Sequence, residues 1–223
     1  MSGLFITFEG TEGAGKTTQI VRLAGRLGEL GHRTRVVREP GSTPIGEEIR
    51  HTLKESKANH GMTPETELLL MNAARAQLVR EIIRPALTAG EIVLSDRFYD
   101  STTAYQGFGR GLNLNFLKSV VDFAVGETKP NLTLFLQVPV HISEERMRSR
   151  QATLPFVRDR IEEADRAFFE RVAKGFEAVV AAEPGRVRVL DASGTADEVS
   201  AAIWKLVEPL LPVKITLHST LPR

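Results

Sequence analysis

The chain has 223 residues, enough for one α/β domain with a sizeable core and short for two. Lys plus Arg is 29 and Asp plus Glu is 28. The resulting net charge of +1 excludes a global pull toward nucleic acid or an anionic membrane, so any anion affinity must come from a local site. The absence of cysteine excludes disulfides, thiolate nucleophiles and Cys-ligated zinc, and it fits a reducing compartment. No apolar run reaches the roughly 18 residues of a membrane span. The opening MSGLFITFEG carries no basic stretch ahead of an apolar one, so no signal peptide is read and a cytoplasmic location is expected.

Short β-branched or aromatic runs alternate with longer helical patterns. Leu4 to Glu9 predicts a buried strand. Thr17 to Leu30 predicts a helix with Ile20, Leu23, Ala24 and Leu27 on one face and Gly31 as its stop. A second strand is expected over Thr34 to Val37. A long helix is expected from Pro64, capped by Thr63, to about Ala89, with Gly90 ending it. Ile92 to Ser95 is a third strand, Asn115 to Val125 a helix and Leu132 to Val138 a fourth strand. Ile142 to Arg150 and Ile161 to Ala182 are helical, Val187 to Leu190 is a fifth strand and Glu198 to Leu211 a last helix. Pro212 to Arg223 shows no pattern and is a tail without an assigned role. The order predicts a five-stranded parallel sheet with helices on both faces in one domain over 1–211. Ligands in such sheets sit at the carboxyl ends of the strands.

Directly after the first strand stands Gly10-Thr11-Glu12-Gly13-Ala14-Gly15-Lys16-Thr17, a match to G-x-x-x-x-G-K-[ST] between strand and helix. Its backbone N–H groups and the helix N-terminus suit phosphate oxygens. Lys16 suits the β and γ phosphates of ATP, and the Thr17 hydroxyl suits Mg²⁺. Kinases, GTPase switches and motor ATPases all carry such a loop. A guanine-reading Asn-Lys-x-Asp is missing, since the nearest string is Thr128-Lys-Pro-Asn131. The fourth strand lacks the terminal acidic pair of a motor. The third strand ends Asp96-Arg97, which points to a kinase: the acid supports Mg²⁺ and its waters, and the arginine holds an acceptor phosphate.

Three further strings complete the pattern: Arg38-Glu-Pro-Gly-Ser-Thr43 with Glu47-Glu-Ile-Arg50, Ala73-Ala-Arg75-Ala-Gln77, and Asp96-Arg-Phe-Tyr-Asp-Ser101-Thr-Thr-Ala-Tyr105-Gln106. With the phosphate loop they resemble the thymidylate kinase family, over about residues 4 to 211. The resemblance implies a P-loop kinase fold with an arginine-rich lid, the substrates ATP and dTMP, Mg²⁺ and a homodimer formed through the long apolar helices around Leu68 to Leu87. The even charge and the lack of a long apolar run leave no nucleic acid and no membrane expected as a partner. It places Arg97 on the dTMP phosphate and Arg50 as a second phosphate arginine. It places Arg75 on the thymine edge and Ser101, Thr102 and Gln106 around the base. Tyr105 crowds the ribose 2′ position, and Glu12 stands near the deoxyribose 3′-OH. The family usually carries a Phe four residues before the helix arginine, stacked on thymine. Here that position is Met71, with Phe98 or Phe108 as compensating rings.

Each residue has a competing structural role. Arg75 could be a solvated helix face, Tyr105 core, and Arg38 and Arg50 ion-pair partners of Glu39, Glu47 or Glu48. The basic stretch Arg146-Met-Arg148-Ser-Arg150 and Arg158-Asp-Arg160 predicts a lid over about 146–160. Because the phosphate loop lacks an arginine, the lid is expected to supply the catalytic one, in the order Arg158, Arg150, Arg148. The alternatives are another nucleoside or nucleotide kinase with an altered base pocket and a nucleotide-binding homologue that binds without transfer.

Overall fold

A computed structural model describes residues 3–153 and 165–211. Its centre is a five-stranded sheet, β1 (Leu4–Glu9), β2 (Thr34–Arg38), β3 (Ile92–Asp96), β4 (Leu132–Gln137) and β5 (Val187–Asp191), in the order β2-β3-β1-β4-β5. Every pairing is parallel, with Phe8 opposite Asp96 across β1 and β3.

The period of two along β1 sorts the two faces. Leu4, Ile6 and Phe8 point into a core shared with α1 (Lys16–Glu29) and α9 (Ala196–Val207), through Ile20, Leu23, Leu27, Ile203 and Trp204. Phe5 faces the opposite core, with Leu68 and Leu78 of α3 (Pro64–Leu78) and Leu117, Val121 and Val125 of α6 (Leu114–Val125). Here the Phe5 and Phe98 rings stand edge to face with their centroids 5.0 Å apart, a contact that adds about 0.5–1.5 kcal/mol beyond area burial. A third apolar cluster joins Tyr105 and Phe135 to Phe168, Val172 and Phe176 of α8 (Arg166–Ala182).

Three stretches differ from the sequence expectation. The long helix runs as expected from its Thr63 cap but contains a π-helical turn, Val79–Ile83, before α4 (Arg84–Thr88). The Arg84 N–H reaches back to the Val79 carbonyl just ahead of Pro85, a residue that cannot donate to a regular helical ladder. Pro44–Lys54 forms α2, where no helix was expected. Thr43 caps it by accepting from the Gly46 N–H at 2.9 Å, with Pro44 in the first turn. Tyr99–Thr102 forms α5, continued by a π-helical turn over Thr103–Gly109. Its Thr- and Gly-rich sequence hides the helix from periodicity.

The helix expected over 142–150 is longer, α7 (Val140–Thr153). The one expected from Ile161 is observed from Arg166, where Asp165 accepts from the Phe168 N–H at 2.7 Å. Positions 161–164, the lid residues Arg158, Asp159 and Arg160, and the tail from 212 lie outside the described residues. The apolar residues expected to form a dimer face are mostly internal: Leu68, Leu78, Val79 and Ile83 are buried in the core. The large apolar side chains left exposed on the two adjoining helices are Leu69 of α3 and Leu114, Phe116 and Phe123 of α6. Among the described residues no helix is long and apolar enough to cross a membrane.

Candidate active site

The phosphate loop leaves β1 and enters α1 at the carboxyl end of the sheet. Gly10 has φ 138, and a Cβ there would stand 2.4 Å from the Leu136 carbonyl oxygen. At Gly13, with φ 74, a Cβ would meet the Ser143 carbonyl oxygen at 2.6 Å. Only glycine fits either position. The loop is held from outside by α7: the Ser143 hydroxyl donates to the Glu12 carbonyl at 2.5 Å. Arg146 donates to Gly13 O and to the Ala192 carbonyl before α9. Arg146, grouped by the sequence with the lid, therefore ties the loop to the far edge of the sheet.

Inside the loop Lys16 is buried and donates to the carbonyls of Gly10 at 3.0 Å and Thr11 at 2.9 Å. Burial and the neighbouring Arg97 charge push its ammonium down to about 8, against the pull of Glu12, Asp96 and Glu9. The Thr17 hydroxyl donates to Asp96 Oδ2 at 2.8 Å, which leaves the hydroxyl lone pairs and the second carboxylate oxygen as hard donors side by side. This is the donor chemistry Mg²⁺ takes when it keeps waters and binds phosphates. Thr17 and Asp96 therefore fit the ion, and among the described residues no cluster of three His, Asp or Glu competes for it.

Next to the loop lies a cavity that encloses, with its mouth, about 500 Å³. Arg97 sits on its wall in the left-handed region, with φ 69, a conformation that costs a non-glycine residue roughly 1–3 kcal/mol. The turn is pinned on both sides. The Arg97 N–H donates to Phe8 O at 2.9 Å, the Ser95 hydroxyl to Arg97 O at 2.7 Å, and the Phe98 N–H to Glu9 Oε1 at 2.8 Å. The Arg97 guanidinium donates to Ser101 Oγ at 3.0 Å and to Glu12 Oε1 at 2.5 Å, and lies 3.3 Å from the Tyr105 hydroxyl. Tyr105 in turn donates to Glu12 Oε2 at 3.1 Å. Burial would raise the Glu12 carboxyl, but Arg97 and Lys16 overcome it and hold it below the ordinary carboxylate range.

Glu9, at the end of β1, was not singled out in the sequence. It is fully buried and accepts from the Ser101 hydroxyl at 2.5 Å as well as from Phe98. Burial and the Asp100 carboxylate push it up to about 7, against Arg97 and those hydrogen bonds. Two further buried pairs were missed. Glu39, just before Pro40, accepts Arg75 Nε and Nη2, the latter at 2.6 Å, while Arg75 Nη1 donates to Asn72. Arg75 is thus no solvated face residue. Glu67 pairs with Arg110 at 3.0 Å.

The structure brings Glu12, Met71, Arg75, Arg97, Ser101, Thr102, Tyr105 and Gln106 together on the cavity wall. Lys54, unmarked in the sequence reading, joins them. Phe98 lines the cavity beside Met71, whereas Phe108 does not and packs near Gly175. Arg50 is not on the wall. It donates to the carbonyl of Pro40, which is. Arg38 pairs with Glu47 at 3.0 Å and not with Glu39. Arg148 is exposed, 3.5 Å from Glu144, and lines a wider groove that also includes Thr11 and Glu12. Arg150 falls within α7.

The thymidylate kinase family model matches residues 8–203. A thymidylate kinase of Desulforudis audaxviator is 48% identical over 212 residues, covering 95% of this chain and 93% of the relative. One from Deinococcus radiodurans is 46% identical over 205 residues, 92% of this chain and 96% of the relative. The crystal structure of thymidylate kinase from Ehrlichia chaffeensis superposes with a TM-score of 0.73 at 30% identity, over 93% of this chain and 99% of that one. A chain matched along nearly its whole length by that family's model, its sequences and its fold belongs to the thymidylate kinase family.

Proposed function

We propose that this chain transfers the γ-phosphate of ATP directly to the 5′-phosphate of dTMP, giving dTDP and ADP. The observation that carries the reading is Glu12. It belongs to the phosphate loop, lines both the cavity and the wider groove, and is ion-paired to Arg97 on the cavity wall. A donor on the loop and an acceptor in the cavity are therefore neighbours, which is what in-line transfer requires.

The roles divide by chemistry. The loop N–H groups and Lys16 hold the donor phosphates, and Arg97 holds the acceptor phosphate through the guanidinium edge it now offers to Glu12 and Ser101. Arg50 braces the Pro40 wall behind it. Arg75 meets the base edge, with Ser101, Thr102, Gln106 and Met71 around the ring; Phe98 is wholly buried in the core and offers no ring face in place of the one Met71 lacks. Tyr105, held by Glu12, closes the sugar side. A lid arginine, Arg158, Arg150 or Arg148, neutralises charge on the moving group. Thr17 and Asp96 would hold Mg²⁺, which supplies charge neutralisation at the phosphate oxygens when bound. The chain acts as one kinase domain over 1–211 in the cytoplasm. Exposed Leu69, Phe116 and Phe123 support a homodimer through α3 and α6.

The metal assignment has its own test. Asp96→Asn keeps the shape but removes the charge that supports the ion. We expect the Mg²⁺ concentration for half-maximal rate to rise roughly 10- to 100-fold. An unchanged Mg²⁺ requirement would remove Asp96 from the site.

A further inference from the structure

Glu67, Met71 and Arg75 lie four residues apart on one face of α3, and Met71 and Arg75 line the cavity. Glu67 is fully buried and accepts from Gln106 Nε2 at 2.7 Å, Arg110 Nε at 3.2 Å and Arg110 Nη2 at 3.0 Å. Arg110 reaches both carboxylate oxygens, so the buried charge has the positive partner it requires. A carboxylate only accepts hydrogen bonds. Gln106 must therefore turn its NH₂ toward Glu67. Its carbonyl Oε1 then has no protein partner among the described residues, although the side chain is 2% exposed and lines the cavity. Arg75 presents the opposite polarity there. Nε and Nη2 bind Glu39 and Nη1 binds Asn72, yet each Nη keeps a second N–H.

We propose that Glu67 is a positioning residue for base selectivity: by fixing the amide of Gln106 it sets an acceptor beside the Arg75 donor. That pair fits a pyrimidine with a C4 carbonyl and an N3–H. A cytosine ring reverses both groups, facing its N3 lone pair to Oε1 and its amino group to Arg75. Buried groups left unpaired in this way reject the wrong ligand strongly. The inference deepens the reading of the cavity as the dTMP site and rests on it.

The test compares dTMP with 5-methyl-dCMP, which share methyl, sugar and phosphate, as acceptors at saturating Mg²⁺-ATP. Enzymes are the unmodified chain, Glu67→Gln, Glu67→Asp and Gln106→Leu, with kcat and KM measured separately and Tm recorded. Glutamine matches glutamate in shape but can donate, so Gln106 is free to flip. Aspartate is shorter but still only accepts. We expect Glu67→Gln to lower the dTMP preference about tenfold or more, mainly through KM, and Glu67→Asp to keep more of it. A packing role alone predicts the reverse order and an equal loss for both acceptors. If Gln106→Leu collapses the preference while both Glu67 variants keep it, the positioning role is overturned and the base reading stands. If Gln106→Leu keeps the preference too, the base reading falls and the proposal with it.

Discussion

Replacing Arg97 by methionine is expected to lower kcat/KM for dTMP roughly 10³-fold, with a much smaller change in ATP affinity. The guanidinium is the one cation on the cavity wall bonded to both Glu12 and Ser101, and its backbone is held in the left-handed region by three hydrogen bonds. That much local structure holds one side chain at one place. Truncating a buried, hydrogen-bonded charge costs about 2–5 kcal/mol, which corresponds to that loss in rate. Arg97→Lys recovers little, because a single ammonium cannot keep both Glu12 and Ser101 and still meet a phosphate bidentately. Steady-state kinetics with dTMP varied, beside an ATP dissociation constant, checks this. Loss of ATP affinity to the same extent would mean that Arg97 supports the phosphate loop and not the acceptor.

The second large effect belongs to the lid. The phosphate loop holds Glu12 and no arginine, so charge developing on the transferred phosphoryl group needs a cation from elsewhere. Arg148→Ala, Arg150→Ala and Arg158→Ala, made separately, should include at least one that loses about 10²-fold or more in kcat with little change in ATP binding. The exposed pair of Arg148 with Glu144 contributes little to stability, so its removal reads function cleanly. Arg146→Ala is the contrast. It breaks the tie between Gly13 and the Ala192 turn, so ATP binding and Tm should fall together. Near-normal turnover in all three lid variants would reduce the basic stretch to a solvated helix face.

The strands and the phosphate loop were legible because their signals are local. Periods of two and 3.6, a Thr-Pro cap at 63–64 and a glycine spacing each act within a few residues. What escaped depends on partners far along the chain. Glu9 reads as the last residue of a strand, and only the turn at Arg97 to Ser101 shows that its buried carboxylate holds that turn. Glu39 stood inside a recognised string, yet its partner is Arg75, 36 residues away, and not its neighbour Arg38. Likewise Glu67 is an ordinary helix acid until the π-helical turn brings Gln106 and Arg110 to it. Two helices were lost for a different reason. Thr43-Pro44 carries a clear start signal but was read for ligand chemistry, and Tyr99 to Gly109 has too little periodic apolar content to reveal itself. Apolar periodicity over Leu68 to Leu87 marked a buried face, and a sequence does not say whether the same chain or a second copy buries it.

If the cavity beside the phosphate loop takes a thymine nucleotide as acceptor, it must favour dTMP over the other nucleoside monophosphates. The direct measurement is a panel of nucleoside monophosphates (dTMP, dUMP, dCMP, AMP and GMP) with Mg²⁺-ATP, following ADP release under identical conditions. The expected result is the highest kcat/KM for dTMP, with dUMP second, since the base readers proposed above, Arg75 and Gln106, line this cavity and would meet the edge that thymine and uracil share. A higher value for AMP, GMP or dCMP would contradict it.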